Sequence, residues 1–508
     1  MTNNRYAFGF VIAFFVSAVS NADSDAEEAR TQENRAKAMN LLVIQTDEHN
    51  FRTLGCYRET LTPDQARIWG PEAIVETPAI DSLAHRGAIC TSFYATSPVC
   101  TPSRAAFFSG RYPHNTGAPQ NDLPLDSDVV TFAEVLQRVG YATGYAGKWH
   151  LDGPGKPQWE PSRHFGFKDN RYLFNRGHWK KFELTASGPR VAAVGRNGQP
   201  SYALDDADET TFSTDWLADR AMDFIREHAE EPFCYHLSLP DPHGPNTVRP
   251  PYDTMYQNLP IRPPLTFSMS KQNPAWAGPE SKNASLKFNA SQMALYFGMV
   301  KCIDDNVAQI LATLNELDLT DRTIIVFTSD HGDLCYEHGR LNKGNPYEGS
   351  AKIPMIICAP GIIQPGTRID QALGTVDFAP TILSLMNQSA PSQTEGRDAS
   401  VLFAQVQPDS VSRPRPWNDI AFLRASQSKP TWVAAVTDRF KLVVAANEEP
   451  YLFDLESDPD ELGNQIQRTE HATIVRTLAN QLLHYGETTG DPQLQKGVLK
   501  DQLTKLAN

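Results

Sequence analysis

The sequence predicts an α/β protein: a large, mostly parallel sheet flanked by helices, then a small antiparallel sheet with a closing helix. Three observations lead there. Apolar runs of strand length, in NLLVIQTDEHN at 40–50 and TIIVFTSDHGD at 323–333, break off abruptly in acidic and polar residues. Buried parallel strands look like this at their carboxyl ends. Helix candidates alternate with such runs, as they do when helices cover both faces of a sheet. The composition then changes over 387–417, which is rich in Ser, Gln and Pro. Beyond it, TWVAAVTDRFKLVVAANEEPYLFDLESDP offers three short strands separated by turns.

Taken in order, residues 1–22 read as a secretory signal peptide. Arg5 is basic, 7–19 are apolar but too few to span a bilayer comfortably, and Ser20-Asn21-Ala22 is a small-residue cleavage site. Export to the periplasm or the medium is expected, with no stable membrane span. Residues 23–38 are acidic and polar, a flexible leader. The main α/β domain is expected over 39–386. Its helices fall at 77–86, 131–139, 291–317 and 378–386, and further strands at 141–145, 233–239 and 355–358. Segment 151–230, with many aromatics, Gly and Pro, reads as insertions and loops over one end of the sheet. Residues 387–417 form a linker or crossover, and 418–508 a small α+β subdomain closed by a helix at 473–483.

The chain of 508 residues is long enough for one large domain and a smaller one. Its formal net charge of −14 argues against nucleic acid as the main partner, though a local basic pocket can oppose the global field. The seven cysteines show no CxxC pair and no disulfide framework, and several lie in strand-like runs. Buried free thiols fit them at least as well as bridges.

Chemistry collects at the ends of the apolar runs. Asp47 and Glu48 end one, Asp330 and His331 the other. Neighbouring strand ends would converge these groups, and a divalent cation is the natural neutraliser of crowded carboxylates. Mostly oxygen donors favour Ca²⁺ or Mg²⁺ over zinc. The alternative for Asp-Glu after a strand is an ordinary turn or helix start. In GKWH, Lys148 and His150 alternate about Trp149 and point to one side of an extended segment. PDPHGPN places His243 on a loop after another buried strand, and LNKGNPYEGSAKIP places Lys343 on a loop. Cys100 stands in SPVCTPSRAAFFSGR, where Thr101 is a candidate N-cap, Pro102 a candidate first helical residue and Gly110 a stop. Cys100 would then sit at a helix mouth that favours anions, or else be a small apolar residue buried at a turn.

Together these pieces resemble the formylglycine-dependent sulfatases of the alkaline phosphatase superfamily. Cys100-Thr101-Pro102-Ser103-Arg104 matches the C-x-P-S-R signature, and Phe108-Ser109-Gly110-Arg111 fits its continuation. Residues 140–150, GYATGYAGKWH, match the second signature, G-Y-x-T-x-x-x-G-K-W-H. The remaining blocks follow in the family's order over nearly the whole chain after the leader, and the resemblance implies an alkaline phosphatase-like sheet with a catalytic domain over 39–386.

The resemblance also implies that a formylglycine-generating enzyme oxidises Cys100 to Cα-formylglycine (3-oxoalanine) during export. The hydrated aldehyde attacks sulfur and afterwards expels sulfate by C–O cleavage. Asp47, Asp330 and His331 are the implied ligands of Ca²⁺, with Mg²⁺ as the alternative and modified Cys100 contributing an oxygen. Glu48 is a further expected ligand, in a position where Asp is commoner. Arg104 holds the nucleophile's oxygen, Lys148 and Lys343 bind sulfate oxygens, His150 assists the formylglycine diol, and His243 is the general acid.

The expected substrate is a sulfated oligo- or polysaccharide. Similarity to sulfatases of bacteria that degrade algal polysaccharides suggests ulvan, with glycosaminoglycans and fucoidan as alternatives. Trp159 and Trp179 are candidates for a sugar platform, and Arg163, Arg171, Arg176 and His178 for cationic subsites; the alternative is a structural insertion. Two other readings are a phosphonate or phosphate ester hydrolase on the same fold and an inactive glycan-binding homologue.

Overall fold

The computed structural model describes residues 38–278, 286–403, 417–426 and 432–508. The expected signal peptide, the leader up to residue 37 and residues 404–416 of the expected linker lie outside them. Eight strands form the main sheet: β1 (Asn40–Asp47), β2 (Ala88–Cys90), β3 (Ala142–Lys148), β4 (Asp169–Phe174), β5 (Phe233–Pro242), β6 (Thr323–Ser329), β7 (Met355–Cys358) and β8 (Thr367–Ile369). Their spatial order is β8-β2-β7-β6-β1-β5-β3-β4. Only β7 runs against the other seven.

The central strand shows why the sheet is buried on both faces. In β1, Leu41 and Val43 point to one side, Leu42 and Ile44 to the other, and all four are fully buried. On the first side pack α2 (Cys100–Ser109), α3 (Phe132–Arg138) and α6 (Phe378–Leu385), through Phe107, Phe108, Phe132, Leu136, Phe378 and Ile382. On the second pack α1 (Pro78–Arg86), α4 (Ser213–Glu227) and α5 (Ala290–Glu316), through Ile80, Leu83, Leu217, Phe224, Ile303 and Ile310. Such a three-layer arrangement leaves the ends of the parallel strands as the place where polar groups can gather.

Segment 151–230 departs from its expected loop character. It contributes the edge strand β4 and the 15-residue α4, besides loops. Strand β4, DNRYLF, begins with charged residues because an edge strand shows one side to solvent. In α4 the buried Leu217, Ala221, Phe224 and Ile225 recur at helical spacing, a signal that was present in the sequence.

The C-terminal part is an antiparallel meander of β9 (Ala421–Arg424), β10 (Trp432–Val436), β11 (Phe440–Ala445) and β12 (Tyr451–Asp454). One face, through Val433, Ala435, Leu442 and Val444, packs on α7 (Ala472–Thr489) and α8 (Val498–Ala507). The other, through Trp432, Ala434 and Val443, meets Tyr94, Tyr347 and Ala351 of the main domain. All seven cysteines are buried and unbridged. Among the described residues no helix is long and apolar enough to cross a membrane.

Candidate active site

Strand register assembles the site. Pairing of β1 with β6 aligns Thr46 with Ser329, so Asp330 emerges beside Asp47. Pairing of β1 with β5 aligns Asp47 with Pro242, which puts His243 just past Glu48. Strand β3 aligns Gly147 with Ser238, and Lys148 closes the strand. Gly147 has φ +105°, and a Cβ there would lie 1.8 Å from the Ser238 carbonyl oxygen, so only glycine lets β3 deliver Lys148. After β4 the chain supplies His178.

Cys100 enters from the opposite direction, in the first turn of α2. Val99, not Thr101, is the N-cap. Thr101 lies inside the helix: its N–H donates to Asn121 Oδ1 (3.0 Å) and its hydroxyl to the His150 carbonyl (2.8 Å). Gly110 ends the helix in the left-handed region, as the sequence predicts.

The Cys100 Sγ lies 3.2 Å from His331 Nε2, 3.5 Å from Lys148 Nζ and 3.9 Å from Asp47 Oδ1. Asp47, Cys100, Asp330 and His331 are all buried and offer ligand atoms within 4.8 Å of one another. His331 Nδ1 lies 3.0 Å from the Gly332 carbonyl, to which its N–H donates, leaving Nε2 to face the cluster. Burial opposes an imidazolium here, but Asp330 and Cys100 outweigh it and push His331 up to about 9. A donor set of two carboxylates, one imidazole and residue 100 fits a divalent cation.

Glu48 has a different setting from the one expected of a metal ligand. Its backbone turns at φ +63°, and its carboxylate meets Lys343 Nζ (3.0 Å) and His243 Nε2 (2.9 Å). Burial opposes its charge, but His243 and Lys343 prevail and hold it down at about 2. Glu48 thus pairs with the catalytic candidates on the loops, while Asp47 and Asp330 belong to the four-residue group. His243 Nδ1 lies 2.9 Å from the Gly244 carbonyl, and its Nε2 is 2.7 Å from Lys343 Nζ. With Nδ1–H donating to that carbonyl, Nε2 is the ring atom that faces Glu48 and Lys343.

Arg104 is fully buried. Its Nε donates to Asp330 Oδ2 (2.8 Å), and Nη1 donates to the Lys148 carbonyl (2.7 Å) and Ser238 Oγ (2.8 Å). It ties α2 to three strand ends. Lys148 Nζ donates to Asp47 and to His178 Nε2, the latter at 2.9 Å. Burial opposes the Asp47 charge, yet the Lys148 ammonium beside it keeps this carboxyl below its usual range. Burial likewise opposes a thiolate at Cys100, but Lys148, Lys343 and His331 hold that thiol well below its ordinary value. The site is built to carry negative charge at residue 100 and beside it.

His178 joins the site more closely than sequence reading foresaw. Its ring stacks on His243 at 3.4 Å between centroids, and burial, Lys148 and His243 keep it neutral. Its signal lay in its position just after β4, a strand missing from the sequence-based plan. Arg176 Nε pairs with Asp122 (3.0 Å) near His150. The other expected saccharide contacts lie elsewhere. Arg171 sits two residues into β4, exposed, and pairs with Asp169 (2.8 Å). That is the amino end of the sheet, opposite the site. Arg163 donates to the carbonyls of Leu125, Asp126 and Val129. Trp159 packs against Phe174, Phe182 and Trp216, and Trp179 is buried with its indole N–H on the Arg176 carbonyl.

The loop bearing Lys343 is anchored by the C-terminal sheet. Lys441 of β11 is buried and donates to the Pro346 carbonyl (2.8 Å), Glu348 (2.6 Å) and Glu461 (2.9 Å).

Comparison with known proteins agrees with this geometry. The sequence model of the sulfatase family matches residues 39–388, and that of the N-sulphoglucosamine sulphohydrolase C-terminal region matches 336–488. An ulvan-active sulfatase of Formosa agariphila is 26% identical over 92% of this chain and 84% of its own length. Arylsulfatase K of Gallus gallus is 30% identical over 77% of this chain and 74% of its own. The solved structure of BT4656 with its substrate D-glucosamine-2-N,6-O-disulfate superposes with a TM-score of 0.71 at 22% identity, covering 91% of this chain and all of that one (100%). That family typically uses a formylglycine and a divalent metal, and the position of Cys100 among Asp47, Asp330 and His331 suits both. A match over most of the chain, with signature residues drawn together at one end of an alkaline phosphatase-like sheet, means that this chain belongs to the sulfatase family of sulfuric ester hydrolases.

Proposed function

We propose that this enzyme is exported and removes sulfate from a sulfated carbohydrate, with ulvan or its oligosaccharides as the leading candidate. The observation that carries this reading is the Cys100 side chain, held among Asp47, His331 and Lys148. The likeness to a protein named for its action on ulvan, over nine-tenths of the chain, supports the choice of substrate. Asp47, Asp330, His331 and residue 100 would hold a divalent cation, Ca²⁺ by preference for a hard-oxygen site, with Mg²⁺ as the alternative. When present, a formylglycine at position 100 supplies the nucleophilic oxygen, and the cation lowers the cost of its charge.

The chain's own residues do the rest. Lys148 and Lys343 offer ammonium groups to sulfate oxygens as negative charge grows on them. His243 carries the proton at Nε2 and passes it to the departing alcohol oxygen. Glu48 holds Lys343 and His243 in place. Arg104 holds Asp330 and the end of β3 in register.

Protein produced together with a formylglycine-generating enzyme tests the proposal. Mass spectrometry of the Cys100 peptide should show the aldehyde, and Ca²⁺-loaded enzyme should release sulfate from ulvan oligosaccharides. Release from glycosaminoglycan or fucoidan oligosaccharides instead would replace the substrate. Faster cleavage of an aryl phosphonate than of the matched aryl sulfate would overturn the sulfatase reading.

A further inference from the structure

Lys180 has no part in the chemistry proposed above, yet it is fully buried beside the loop that carries His243. It stands two residues after His178, and Trp179 between them packs on Tyr202. Its Nζ donates to Asp241 Oδ1 (2.5 Å) and to the His243 carbonyl (3.2 Å), so it brackets Pro242 at the end of β5. The sulfur of Met299, on α5, lies 3.3 Å from the same nitrogen. The second oxygen of Asp241 accepts from the Thr214 hydroxyl (2.7 Å) in the first turn of α4. The Lys180 carbonyl accepts from the Ser213 N–H (3.1 Å), which ties the lysine's own backbone to that turn. Lys180, Asp241, Thr214 and Met299 are all closed to solvent.

Stability alone does not account for such a knot. Two charges taken out of water are often no more stabilising than a well-packed apolar pair of similar volume. What the ion pair adds is direction, because an ammonium with three donors can hold a carboxylate and a carbonyl at once. The carbonyl it holds belongs to His243. The ring of that histidine is covered by His178, 3.4 Å away between centroids and 7° from parallel. The stretch 178–180 therefore grips His243 twice, by its ring face and by its main chain. A reacting group displaced by about 1 Å can lose roughly 100-fold in rate.

We propose that Lys180 is a positioning residue for His243. The inference rests on the role of His243 as the acid of the reaction proposed above. By holding the His243 carbonyl beside Asp241, Lys180 sets the distance from Nε2 to the ester oxygen. As the S–O bond breaks, its electron pair goes to that oxygen and the Nε2 proton follows. A poor leaving group such as a sugar alcohol needs that proton, whereas a nitrophenolate leaves without it.

The test assays formylglycine-containing enzyme on a sulfated ulvan oligosaccharide and on 4-nitrophenyl sulfate. Lys180→Met should lower kcat on the oligosaccharide about 10- to 100-fold and change the nitrophenyl rate less than about threefold. Both rates are read on one preparation, so an inactive fraction cancels from their ratio. In a His243→Ala background, Lys180→Met should change that ratio by less than about twofold, because the group it places is gone. Equal losses on both substrates, no loss on either, or a full further change in the double variant overturns the inference. If Lys180→Met does not fold, Thr214→Val decides, since it keeps the ion pair. It should shift the ratio the same way by a smaller factor, and an unchanged ratio overturns the inference. An unchanged ratio in His243→Ala defeats the proposed acid and the inference with it. A changed ratio there that Lys180→Met does not share defeats the inference alone. A wild type that releases no sulfate defeats the proposed function, yet crystal structures of the wild type and Lys180→Met still decide whether Lys180 places His243. A His243 ring in the same position in both overturns the inference.

Discussion

The two ends of strand β4 differ more than its six residues suggest. At its start, Arg171 is exposed and paired with its neighbour Asp169; past its end, His178 is half-buried against Lys148 and stacked on His243. The same contrast runs across the sheet. The carboxyl ends of β1, β3, β5 and β6 deliver the buried Asp47, Lys148 and Asp330 and the half-buried His243 to one cluster. At the amino ends, polar groups such as His228 and Glu231 pair locally. Parallel strands place like ends together, so proximity along the chain says little about proximity to the chemistry. Ion pairs at the wet end contribute little because water already solvates both partners, whereas charges at the dry end depend on one another.

Substitutions at the two ends should therefore differ steeply. The largest effect belongs to Cys100→Ala, which removes the reacting side chain. Sulfate release should fall to background while the melting temperature stays close to that of the wild type. Retained turnover would place the chemistry elsewhere.

Next comes the four-residue group. Chelation should abolish turnover, Ca²⁺ should restore it at least as well as Zn²⁺, and Asp330→Asn should match the stripped enzyme. Undiminished activity after verified removal of divalent ions would break the assignment of this cluster to a cation.

Glu48 sharpens the boundary within the active end. Because its carboxylate serves Lys343 and His243, Glu48→Gln should reduce kcat roughly 10- to 100-fold, as expected for weakened electrostatic and acid assistance. Cation affinity, measured by calorimetry, should change little. A loss of affinity as complete as in Asp330→Asn would return Glu48 to the ligand set.

The smallest effects separate the two arginines flanking β4. Arg171→Ala should leave turnover of every sulfate ester within about twofold, since it loses an exposed pair of small worth. Arg176→Ala should lower turnover, because it frees Asp122 beside His150. Equal behaviour of the two variants would erase the distinction between the ends.

Much of this was legible in the residues themselves. Apolar runs that stop at Asp47 and Asp330 mark buried strands and their active ends, because a chain leaving a dry sheet can place charge only where the sheet stops. Cys100 to Arg104 and Gly147 to His150 are contiguous, so their chemistry could be read without knowing the fold. Glu48, His178 and Asp122 could not be read in the same way. Glu48 was expected to bind a cation because it adjoins Asp47, but its partners are nearly 200 residues away for His243 and nearly 300 for Lys343.

By itself, then, the sequence determined the residue types and the local segments that bring them to strand ends and to a helix mouth. Only the tertiary structure decided which end of each strand meets the others, and which anion neutralises which cation. Local preferences act within a few residues, whereas strand register and the pairing of buried charges join segments hundreds of residues apart. In a dry interior every charge must find a partner, and where a side chain has several candidates, the packed geometry alone selects among them.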